Sequence, residues 1–143
     1  MATIERFEEL DSWKTGRELS NLIYDFSDDE PFAGDFGLRD QIRRAAVSVM
    51  SNIAEGFNSR TQNVFIDLLG RARASAAEVQ SQLYLARDRN YVSDAEFDEA
   101  YNLADTASRQ IYGLIRYLRS RPNASRVKEG QVRYEIDLDH PDS

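Results

Sequence analysis

Apolar residues recur every three or four positions through four long stretches of this chain, and clusters of helix breakers fall at or near their ends. A period near 3.6 buries one face of a helix and leaves the other in water. Elements of this kind pack face to face around a shared core. The breakers are Pro31, Gly34 and Gly37 in one cluster, Gly56 just before Asn58 and Ser59, and Pro122 after Arg121. Glycine and proline end helices by conformational freedom and by a missing donor, respectively.

The first stretch runs from about Asp11 to Ser27, with Asp11 or Ser12 as its cap and Leu19, Leu22, Ile23 and Phe26 as its stripe. The second runs from about Phe36 to Phe57, with Ile42, Ala46, Val49, Met50, Ile53 and Phe57. The third runs from about Thr61, a natural N-cap, to Asn90, with Val64, Phe65, Leu68, Ala72, Ser75, Val79, Leu83 and Ala86. The fourth runs from about Asp94 to Ser120, with Phe97, Ala100, Ala104, Ala107, Ile111, Leu114, Ile115 and Leu118. Ser93 and Glu96 before it have the spacing of a capping box. The third and fourth are joined by only a few residues, which makes them antiparallel neighbours. The expected fold is all-α: an antiparallel up-down four-helix bundle in residues 1–121, followed by a C-terminal tail in residues 122–143.

The tail has another rhythm. Val132, Tyr134, Ile136 and Leu138 alternate with Arg133, Glu135, Asp137 and Asp139, a strand-like period of two. A lone strand has no partner in a helical chain. The segment is therefore either disordered or an arm that docks on a neighbour.

The third helix is apolar or small on the side away from its stripe as well. Ile66, Gly70, Ala77 and Tyr84 lie there, and helix four adds Tyr101, Leu103, Tyr112 and Tyr117 beside its own stripe. A contiguous apolar surface of this kind marks an interface. The chain is expected to form a homo-oligomer with Ile66, Gly70, Ala77, Tyr84, Tyr101 and Tyr112 in the contact. Scattered apolar surface residues on a monomer are the plainer alternative.

Charge is uneven. Of 143 residues, 25 are acidic and 18 basic, for a net charge of −7. The first 35 residues and the tail are acidic, whereas residues 36–121 are slightly basic. Nearly all the basic residues are Arg, which forks around phosphate or carboxylate where Lys acts as a point charge. Arg39, Arg43 and Arg44 on helix two, with Arg71, Arg73, Arg87 and Arg89 on helix three, are the candidate nucleic-acid contacts. The alternative is pairing with neighbouring Asp and Glu on solvated faces. Helix two also carries Gln41, Ser48, Asn52 and Glu55 on its outer side, a set of donors and acceptors that suits a partner or simple hydration.

Several chemistries lack their parts. There is no cysteine, so disulfides, thiol catalysis and iron–sulfur ligation are excluded. The only histidine, His140, lies in the tail, which leaves no Glu-x-x-His pair for a di-iron bundle and no plausible Ser–His–Asp triad. Asp137, Asp139, His140 and Asp142 are metal-ligand types, but an acidic solvated terminus accounts for them. No phosphate loop of the required glycine spacing is present. Neither catalysis nor a cofactor is expected. Met1–Leu10 lacks an apolar signal core and no run suits a membrane span, so the expected location is the cytoplasm.

Three stretches resemble a known family. They are Phe7-Glu8-Glu9-Leu10 with Trp13-Lys14; Phe36-Gly37-Leu38 with Gln41-Ile42-Arg43-Arg44-Ala45-Ala46, Ser48 and Asn52-Ile53-Ala54-Glu55-Gly56; and Phe65, Leu68-Leu69, Ser75, Glu78 and Leu83. Together with helix four they resemble the four-helix bundle family of 23S rRNA intervening-sequence proteins, which also includes the accessory determinants of diversity-generating retroelements. The resemblance covers about residues 7–120. It implies a bacterial bundle that assembles as a homopentamer. Retroelement members are basic and bind reverse transcriptase and nucleic acid, whereas this chain is acidic. Family members usually have Pro at the position of Met50 and Gly at that of Ala74. Without the proline, helix two should run straight.

Two functions follow as expectations. One is a non-enzymatic homo-oligomeric accessory module that binds RNA, DNA or a nucleic-acid-processing protein through the Arg residues. The other is a protein-interaction scaffold with no nucleic-acid affinity.

Overall fold

The computed structural model describes residues 3–121. Four α-helices follow one another: α1 Asp11–Asp28, α2 Phe36–Phe57, α3 Gln62–Asp88 and α4 Asp94–Ser120. Short 3-10 turns at Phe7–Glu9 and Phe32–Gly34 precede α1 and α2. The tail from residue 122, with its alternating segment and its acidic cluster, lies outside the described residues.

Local chemistry sets most helix ends. Asp35 caps α2 by accepting from the Leu38 amide, and Thr61 caps α3 by accepting from the Val64 amide. Ser93 and Glu96 complete the capping box of α4, each side chain accepting from the other's backbone amide. α1 departs from expectation. Its N-cap is Leu10, with no side-chain cap, because Asp11 and Ser12 already lie inside the helix. The preceding turn feeds it directly. At the far end of α3, Asn90 takes a left-handed φ of 62°. Its amide donates to Arg87 O and the Tyr91 amide to Ala86 O, closing the helix as a Schellman motif. α2 is one continuous helix through Met50.

α2 packs against α1 and α3, and α4 packs against α3 and α1. Gln41 meets Gln82, Ser48 meets Ser75, and Gly56 lies against Phe65 on the α2–α3 seam. On the α3–α4 seam Gln62 reaches Arg121, Arg73 reaches Ser108 and Gln80 reaches the Tyr101 carbonyl.

The core divides along the bundle. One end gathers Ile4, Leu10, Ile53, Phe65, Leu69, Ile111, Leu114, Tyr117 and Leu118. The other gathers Leu19, Ile23, Phe32, Ile42, Leu83, Val92, Phe97 and Ala104. Small residues carry the middle of the seams: Ala45, Ala46, Ala72, Ala76, Ala100, Ala104 and Ala107 are buried, which lets the helices approach closely. The α3 stripe is shifted from the expected one. Leu69 and Ala76 are fully buried, whereas Val64 is 44% exposed and Leu68 and Ser75 are half-buried. α3 is flanked by α2 on one side and α4 on the other, so its buried sector is broader than a single stripe and centred differently.

Candidate functional site

The seven expected nucleic-acid contacts do not form one patch, and four of them are committed within the bundle. Arg43 is the most constrained. Its Nε donates to Ser27 Oγ at 2.6 Å, its terminal nitrogen to Asp28 Oδ1 at 2.7 Å, and its guanidinium lies 4.4 Å from the Tyr24 ring centre. Arg39 donates to the Ala33 carbonyl and to Asp40, and lies over Phe36 at 4.7 Å. Arg73 donates to Ser108 Oγ and covers Tyr112 at 4.6 Å. Arg87 lies over Phe97 at 4.2 Å and Tyr84 at 5.2 Å. These are cation–π contacts between helices or along one helix, and they use the guanidinium face; hydrogen bonds take up part of the N–H donors of Arg39, Arg43 and Arg73 as well.

Arg44, Arg71 and Arg89 are exposed, and their side chains make no hydrogen bond or ion pair to the described residues. They are separated. Arg44 sits with Tyr24, Asp40, Arg43 and Val47 around a shallow cleft of about 340 Å³. Arg89 lies beyond α3, where its charge helps hold Asp35 ionised. Arg71 opens on a larger cleft between α2 and α3, about 640 Å³, with Asn52, Ala54, Glu55, Asn58 and Leu68.

That α2–α3 cleft is the outer polar face expected on helix two, closed on its other side by α3. The Asn52 side-chain amide donates to Ser48 O and Ser48 Oγ, both at 2.8 Å, which fixes its orientation and leaves its oxygen as an acceptor. Ser75 Oγ donates to Ser48 Oγ at 2.9 Å and ties the two walls together. Glu55 and Arg71 face the same space without forming an ion pair. Opposite charges held apart in one cleft leave both free for a ligand.

The expected interface residues divide in two. Gly70, Ala77 and Tyr84 are exposed on α3, and nothing lies within 4 Å of a Cβ built on Gly70. Ile66 packs partly against the core, Tyr101 stacks on Phe97 at 5.4 Å, and Tyr112 lies under Arg73. Electrostatic interaction with the neighbouring Tyr84, and then burial, push the Tyr101 phenol above its usual range. Leu85, 51% exposed, and Ala74 join the outer face of α3. The helical wheel held that signal, since Ala74, Ala77 and Leu85 follow Gly70 at helical spacing. No group of three His, Cys, Asp or Glu suited to a metal occurs among the described residues, and none of their helices is long and apolar enough to cross a membrane.

The architecture is that of a four-helix bundle protein. The family described as 23S rRNA-intervening sequence protein matches residues 8–113, and the chain belongs to that family. A crystal structure of a protein of unknown function from the S23 ribosomal protein family of Bacteroides thetaiotaomicron is similar. It shares 22% identity with a TM-score of 0.67, over 73% of this chain and 97% of that one. No curated protein matches the chain.

Proposed function

We propose that this protein is a non-enzymatic, homo-oligomeric scaffold: an antiparallel up-down bundle that associates with further copies through the outer face of α3 and presents polar clefts to a partner protein. The observation that supports it is the α3 surface. Gly70, Ala74, Ala77, Tyr84 and Leu85 lie outward on a helix whose other sides are already packed against α2 and α4. Small residues allow a second helix to come close, and Tyr84 and Leu85 supply apolar area. The family resemblance favours five copies. With a charge of −7 on each chain, a ring of five carries about −35, which repels nucleic acid at a distance.

The test is the mass in solution of Ala77→Arg with Leu85→Asp. Both side chains are exposed, so the bundle stays folded, and the expected product is a smaller species with an unchanged helical spectrum. A mass equal to the parent's refutes the α3 interface.

The family's name and the exposed Arg44, Arg71 and Arg89 favour a second reading, an accessory module for RNA, DNA or a ribonucleoprotein. Phosphate contacts make binding fall steeply with salt, about tenfold or more between 50 and 200 mM for several contacts. A titration against structured RNA and duplex DNA at those two salt concentrations separates the readings. Binding with that slope supports the accessory module, and its absence at low salt supports the scaffold.

A further inference from the structure

We propose that the groove between α1 and α2 receives the α3 face of a second copy of this chain, so that each copy presents two different surfaces to its neighbours. The groove is the counterpart of the α3 interface proposed above, on which its role rests. Among the described residues, six large apolar side chains are exposed. Tyr84 and Leu85 belong to the α3 face, and Val64 lies at the start of α3. The other three, Tyr24, Phe36 and Val47, lie along the α1–α2 edge. Phe36, Asp40, Arg43 and Val47 follow at spacings of four, three and four, which sets them on one side of α2. Arg43 on that side reaches Ser27 and Asp28 of α1 and covers Tyr24. An apolar patch rimmed by charge in this way marks a contact surface.

The two surfaces fit by shape. The groove holds a shallow cleft of about 340 Å³ between Tyr24, Arg43, Arg44 and Val47, room for one large side chain. Tyr84 and Leu85 are such side chains, and the small Gly70, Ala74 and Ala77 beside them let the walls of the groove close on α3. An aromatic anchor in a pocket is the usual centre of a protein interface. They also fit by charge. Glu78 and Asp88 are exposed on α3 near Tyr84 and Leu85, and their side chains make no hydrogen bond or ion pair to the described residues. The neighbouring Arg87 is turned to the α4 flank, over Phe97. In the groove, Asp40 is paired with Arg39 and Arg43 with Asp28, which leaves Arg44 as the uncompensated charge. Two α3 faces laid on each other bring carboxylates together, whereas α3 on the groove sets carboxylates against a guanidinium.

The surfaces do not overlap. The groove belongs to α1 and α2, and the face lies on α3 between flanks held by Ser75 against α2 and by Arg73 against α4. One chain can therefore use both at once, each with a different neighbour. A head-to-tail contact of this kind closes into a ring, or runs on as a filament where the rotation does not close. The α2–α3 cleft with Glu55 and Arg71 stays open to a partner protein.

The test is the mass in solution of two full-chain variants, alone and mixed. Phe36→Ser with Val47→Glu spoils the groove, and Ala77→Arg with Leu85→Asp spoils the α3 face. All four side chains are exposed, so both helical spectra should match the parent's. Each variant alone should fall to the mass of one chain. An equimolar mixture should form pairs of two chains and nothing larger, because one intact groove and one intact face remain between them. A groove variant that keeps the parent's mass overturns the groove and leaves the α3 interface standing. An α3 variant that keeps it overturns the α3 interface itself. A mixture that stays at the mass of one chain overturns the head-to-tail contact. Because the chain has no cysteine, a second measurement needs no disruption of either surface. After subunit exchange, a short bis-maleimide should join Val47→Cys chains to Leu85→Cys chains, and neither to its own kind. Leu85→Cys chains joined to one another would show α3 faces paired together, which overturns the groove.

Discussion

Tyr91 and Asp35 stand 56 residues apart in sequence and share a hydrogen bond of 2.9 Å, the phenol donating to Asp35 Oδ2. The other oxygen of Asp35 accepts from the Leu38 amide at 3.1 Å and caps α2. One carboxylate thus ties the α3–α4 loop to the start of α2. Phe32 stacks on Tyr91 at 5.1 Å and completes the joint.

This joint should be sensitive to pH. The Leu38 amide first, and then the Tyr91 hydroxyl, hold the Asp35 carboxyl below its usual range. A carboxyl lowered by folding stabilises above its unfolded value, about 3.9, and that contribution is lost as pH falls through the lower folded value. Tyr91 is raised, chiefly by donating to Asp35. Its contribution is present below about pH 10 and lost as pH rises through the folded value. Urea denaturation of parent and Tyr91→Phe should differ at pH 7, and the gap should narrow at pH 2. A gap of equal size at both pH values contradicts the coupling.

Two glycines predict opposite outcomes. A Cβ on Gly56 would lie 2.7 Å from Phe65 Cδ1 and 3.3 Å from Leu68 Cβ, whereas one on Gly70 meets nothing within 4 Å. Gly56→Ala should cost about 1–3 kcal/mol through overpacking. Gly70→Ala should stabilise by about 0.5–1 kcal/mol, since alanine loses less backbone entropy in a helix. Denaturant midpoints of both variants, taken under conditions that keep the chain monomeric, check the contrast.

Arg43 and Arg44 are adjacent and should behave differently. Arg43 joins α2 to the end of α1 through Ser27, Asp28 and Tyr24, and its side chain is 18% exposed. Arg43→Ala should cost about 1–2 kcal/mol, and Arg43→Lys should recover only part of it because an ammonium lacks the planar fork. Arg44→Ala should change stability by less than about 0.5 kcal/mol. Thermal denaturation of the three variants separates a structural arginine from a surface one.

The cap of α4 makes a local prediction. Ser93→Ala removes the acceptor for the Glu96 amide and should cost about 1 kcal/mol. Faster exchange should appear in the first turn of α4 and nowhere else. Uniform loss of protection would mean that this helix end opens only with the whole bundle.

Sequence alone determined the helices, because their cause is local. The apolar period marked all four. Asp94 and Ser120 bound α4 as expected, and Thr61 and Ser93 cap because an oxygen at that position reaches an amide three residues on. The resemblance carried by Gln41–Gly56 assigned the family, which the match over residues 8–113 shows. Tertiary structure decided what each surface residue is free to do. Arg39, Arg43, Arg73 and Arg87 look equivalent to Arg44 and Arg71 in a linear chain, yet folding sets an aromatic ring against each of the first four, with hydrogen-bond acceptors for Arg39, Arg43 and Arg73, and leaves the other two open. Ile66, on the expected outer face of α3, packs partly against the core because α3 is covered on both flanks. Whether a side chain is occupied depends on contacts across helices, and periodicity within one helix does not encode them.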